Sequence, residues 1–93
     1  MDRTEFLQAT RQLAAAAEIL ARAGPEDSRL DASQMLEFFR RYDRPGPEAS
    51  AVVTSDDDLF VRTGKAALTM AGRNEFAASQ ALLEQARSLL TVT

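Results

Sequence analysis

The chain contains no cysteine, no histidine and no tryptophan. Those three absences exclude more chemistry than any residue present supports. Zinc sites built on Cys or His lose their ligands, as do haem and iron–sulfur centres. Thiol nucleophiles, Ser-His-Asp triads and imidazole proton shuttles lose their reacting groups. Disulfide stapling is excluded as well, so cysteine usage gives no sign of the redox compartment. Aromatic residues are scarce, at 6% against a hydrophobic fraction of 45%, so a core must be built from Ala, Leu and a few Phe. Long apolar runs are also missing, and none approaches the roughly 20 residues a membrane span needs. The start, "MDRTEFLQAT", is acidic and polar and has no apolar segment after a basic one, unlike a secretory signal. A cytoplasmic location is the expectation.

What is present is helical. The chain's 93 residues allow one domain with a modest core, so burial against a second copy or a partner is expected to matter. Net charge is −3, and a cut after Gly46 leaves −1 and −2 on the two halves, which is not the basic footprint of a nucleic-acid binder. Every basic residue except Lys65 is Arg, as GC-rich coding produces.

Phe6, Thr10, Leu13, Ala17 and Leu20 recur at helical spacing, with Leu7, Ala14 and Ala21 alongside. Asp2 followed by Glu5, or Thr4 alone, can cap this helix, and Gly24-Pro25 ends it. Its "AAAAE" run at 14–18 combines high helix propensity with room for a close neighbour. Asp31 and Gln34 then form a capping-box pattern ahead of Met35, Phe38, Phe39 and Tyr42 at i, i+3, i+4 and i+7. That helix must stop by Arg44, because the residue before a proline is pushed out of the α region. The segment "PGPEASAVVT", 45–54, is a joint whose valines suit an extended, partly ordered form.

Ser55 with Asp58 reads as the next capping box, and Asp56 and Asp57 fall in a first turn where the helix macrodipole favours negative charge. The three aspartates lack the ligand pattern of a calcium loop. As successive residues of a helix they would diverge by about 100° each, so no metal site is predicted. Phe60, Gly64, Ala67, Leu68 and Ala71 make one further stripe. Phe76, Ser79, Leu83, Ala86 and Leu90 make another, broadened by Leu82 and Leu89, with Gly72 between the two and Asn74 as a candidate N-cap of the second; one continuous helix is the alternative, since an isolated glycine costs only about 1 kcal/mol. The tail "TVT" is expected to fray.

The stretch from Asp58 to Leu90, with its small-residue helix, "AGR" turn and "ALLEQARSLL", looks like a single tetratricopeptide-type hairpin. Aligning Gly64, Gly72 and Ala86 with that pattern needs roughly two inserted residues near Asn74, and no second copy precedes it. Its tryptophan, paired tyrosines and closing proline are also missing. The resemblance therefore implies an antiparallel hairpin and no more.

The sequence thus predicts an all-α bundle with helices over 4–23, 32–43, 56–71 and 74–91 and an irregular loop over 44–55, that is, two hairpins in one domain. For function it predicts a small non-enzymatic interaction module without cofactor or metal: an adaptor, chaperone-like, regulatory or accessory subunit. The partner would be a protein or a second copy, met through amphipathic helix faces. The residues expected to carry it are Phe38, Phe39, Tyr42, Phe60, Phe76 and Leu83, with Arg40, Arg41 and Arg44 orienting the partner at the rim. The alternative is a nucleic-acid-associated regulator using the three arginines, and a small-molecule pocket between the two hairpins is a third idea. Arginines in the last turn of a helix are already accounted for by the macrodipole. Glu18, the best-placed acid for general acid–base work, is expected on the solvated face.

Overall fold

The structure, a computed structural model, describes residues 2–43, 52–54 and 56–92. Four α-helices account for most of it: α1 over Arg3–Ala23, α2 over Arg29–Arg40, α3 over Asp57–Gly72 and α4 over Phe76–Leu89. Short 3-10 turns at Glu26–Ser28 and Arg41–Asp43 bracket α2. The fold is all-α, as the periodicity predicts, and its helices pair as two hairpins, α1 with α2 and α3 with α4.

Helix α1 begins as expected, with the Asp2 Oδ1 accepting from the Glu5 amide at 2.8 Å. Helix α2 begins earlier than the Asp31 box predicts. Pro25, at φ −58°, directs the chain straight into the 3-10 turn, and the α-helix follows from Arg29. Ser28 stands at its N-cap without a side-chain cap bond, and Arg29 Nε donates to the Gly24 carbonyl at 3.0 Å. Asp31 falls in the first turn, where it acts through the macrodipole instead. For α3 the cap is Asp56 and not Ser55, which lies outside the described residues. Its extended backbone lets Oδ1 accept from the Leu59 amide at 3.0 Å.

The break between α3 and α4 also differs from expectation. Gly72 remains helical and exposed, and it is Asn74, at φ 63°, that turns the chain. The Asn74 amide donates to Ala71 O at 3.1 Å and the Glu75 amide to Met70 O at 2.9 Å. That paired pattern is the Schellman stop, with asparagine in the left-handed place glycine usually takes. Asn74 therefore closes α3 and does not cap α4, whose N-cap is Glu75.

Seven of the fourteen buried hydrophobic residues are alanine, which is what lets the backbones approach. One close approach is at Gly64, where an added Cβ would lie 3.2 Å from the Ala9 carbonyl oxygen. Phe39, Phe60, Leu13, Met35 and Leu83 fill the space between the helices. Three hydroxyl residues are buried with them, and each donates to a carbonyl: Thr10 to Leu7, Thr63 to Leu59, and Ser79 to Ala67. The last of these, at 2.8 Å, ties α4 to α3.

Contacts step forward together along α1 and α3. Phe6 stacks on Phe60, Ala9 meets Gly64, and Gln12 and Ala15 share a groove with Leu68. These two helices therefore run parallel, and α2 returns the chain to the start of α1, where Tyr42 meets Phe6. Among the described residues one paired element is not helical. Val52–Thr54 (β1) pairs antiparallel with Leu90–Val92 (β2), in the register Val52 with Val92, Val53 with Thr91 and Thr54 with Leu90. The extended form expected for the valines is present in the backbone. The expectation of a frayed tail is corrected for Thr91 and Val92, which the pairing holds, and α4 stops at Leu89 rather than 91.

Candidate interaction surface

The residues expected to meet a partner separate by burial. Phe39, Phe60 and Leu83 are each 0% exposed, so they belong to the core of a single chain and present no surface. Phe38, Tyr42 and Phe76 are half-buried. Arg40 and Arg41 are exposed, and Arg44 lies outside the described residues.

The structure brings most of the aromatics together through one residue the sequence did not single out for that role. Phe6 stacks on Phe60 at 5.7 Å between ring centroids and meets Tyr42 edge-on at 6.1 Å. Tyr42 in turn packs on Phe38 at 5.4 Å, and Phe38 on Phe39 at 5.2 Å. Edge-to-face and offset contacts at such spacings are the favourable ones for aromatic quadrupoles. This network joins α1, the end of α2 and the start of α3, and its geometry is that of an internal clasp with one flank, Phe38 and Tyr42, open to solvent. Phe76 stands apart at the far end of the α3/α4 hairpin.

Glu18 links α1 and α2 electrostatically. Its carboxylate lies 2.7 Å from Arg22 Nη2 and 3.7 Å from Arg40 Nη2, with 36% of its side chain exposed. It bridges α1 and α2 at the surface, where such pairs contribute under about 1 kcal/mol. Arg40 is thereby engaged within the chain.

Two concavities flank the α1–α3 seam. One, of about 490 Å³, lies beside the helix starts and is lined by Glu5, Asp57, Asp58, Val61 and Arg62. Its carboxylates fall in the first turns of two parallel helices, where the macrodipoles favour them. Among the described residues no three Asp or Glu side chains are grouped so as to hold a metal ion. The other is an open groove of about 480 Å³ along α1. Leu7 and Ala15 of α1 and Leu68 of α3 form its apolar part, and Thr4, Gln8, Arg11 and Gln12 its polar rim. These apolar positions flank the buried stripes of their helices. Periodicity marks such positions as broadening a stripe, but only the α1–α3 pairing shows that they border one groove.

Elsewhere the surface is ordinary. Leu30, 70% exposed on α2, is the one large hydrophobic side chain standing free among the described residues, and a lone leucine needs no special account. No helix among them is long and apolar enough to cross a membrane. Compared with known proteins, the chain matches no family model, no curated protein and no solved structure.

Proposed function

We propose that this chain is a small non-enzymatic interaction module, an adaptor, chaperone-like, regulatory or accessory subunit, that binds a protein partner or a second copy through an outer helix face. The observation that carries this reading is the groove on α1. That helix packs against α2, α3 and α4, yet Leu7 and Ala15 remain half-buried beside Leu68 and border a groove still open to solvent. From Thr4 to Ala15 the groove follows about three helical turns, roughly 16 Å. An amphipathic helix laid along it would present anchors at i, i+3 or i+4, and i+7, a common mode of protein recognition. The absence of His and Cys from the whole sequence agrees with binding rather than catalysis.

The test combines two measurements on the intact chain. Light scattering across a concentration series reports self-association, and capture from nuclease-treated lysate at low and high salt reports a partner. A Leu7→Glu/Leu68→Glu double change should abolish whichever complex forms, while altering the unfolding free energy by no more than about 2 kcal/mol. A complex that survives the double change overturns the assignment to this groove. An Arg40→Glu/Arg41→Glu change should leave the same complex intact, since neither arginine lines the groove. If the captured material is instead nucleic acid, released by salt and lost in that arginine variant, the chain is a nucleic-acid-associated regulator.

A further inference from the structure

We draw no further inference here: the strongest candidate, the open groove along the α1–α3 seam bordered by Leu7, Ala15 and Leu68, belongs to the surface already described, and nothing in the structure shows what covers it.

Discussion

Asn74 occupies backbone space that an L-residue enters at a cost of roughly 1–2 kcal/mol, and asparagine is among the few that tolerate it. Replacing it with glycine should raise stability by up to about 1 kcal/mol, whereas Asn74→Val should lower it by about 1–2 kcal/mol, both read as shifts in the urea midpoint at constant slope. Gly72, two residues earlier, is helical and exposed, with nothing within 4 Å of where a Cβ would stand. Gly72→Ala should therefore stabilise by about 0.5–1 kcal/mol. Gly64→Ala should go the other way, by about 1–2 kcal/mol, because the new methyl would press on the Ala9 backbone, which has no rotamer to change. The sequence marks all three residues as unusual but cannot assign their roles. Asn74 is the stop because α3 stays helical through Gly72 with Ala71 still buried, so the left-handed place falls one residue beyond Arg73. Composition alone favours the glycine.

At the level of helices, the apolar stripes were legible because burial on one side of a 3.6-residue repeat leaves a periodic record. The predicted positions Phe6, Thr10, Leu13, Ala17 and Leu20 are all buried in α1, as are Phe60, Gly64, Ala67 and Ala71 in α3. The starts were less legible. Ser55, Asp56, Asp57 and Asp58 are all competent to cap, and which one does so depends on where packing fixes the first turn. Asp56→Ala should cost about 1 kcal/mol by removing the bond to the Leu59 amide, with no added effect of calcium or magnesium on the melting temperature. A metal-dependent rise in the melting temperature of the unaltered protein would contradict this account of the acidic run. Ser79→Ala should also cost about 1 kcal/mol, for it removes the buried bond to Ala67 O, while that carbonyl stays within the α3 helix. Thermal unfolding followed by circular dichroism measures both.

For the whole molecule, periodicity shows which face of a helix is buried but not which neighbour buries it. That is why the two hairpins were foreseeable while the parallel course of α1 and α3 was not. The aromatic residues illustrate the same limit. Phe38 and Phe39 on α2 and Tyr42 in the 3-10 turn that follows it are close in the sequence, but their connection to Phe60 runs through Phe6, which lies far from both in the sequence. The proposed groove shares this origin, since its apolar border comes from two helices that no local pattern relates. The short ribbon is a third case, joining a loop strand to the tail across the full α3/α4 hairpin. Its register has a mechanical meaning. Because Val52 lies opposite Val92, tension applied along the backbone before β1 and after β2 enters at the same rung, so the pairs peel apart singly instead of sharing the load. Pulled in that direction, the ribbon should yield first and at low force, and the load then passes to the α3/α4 hairpin it closes.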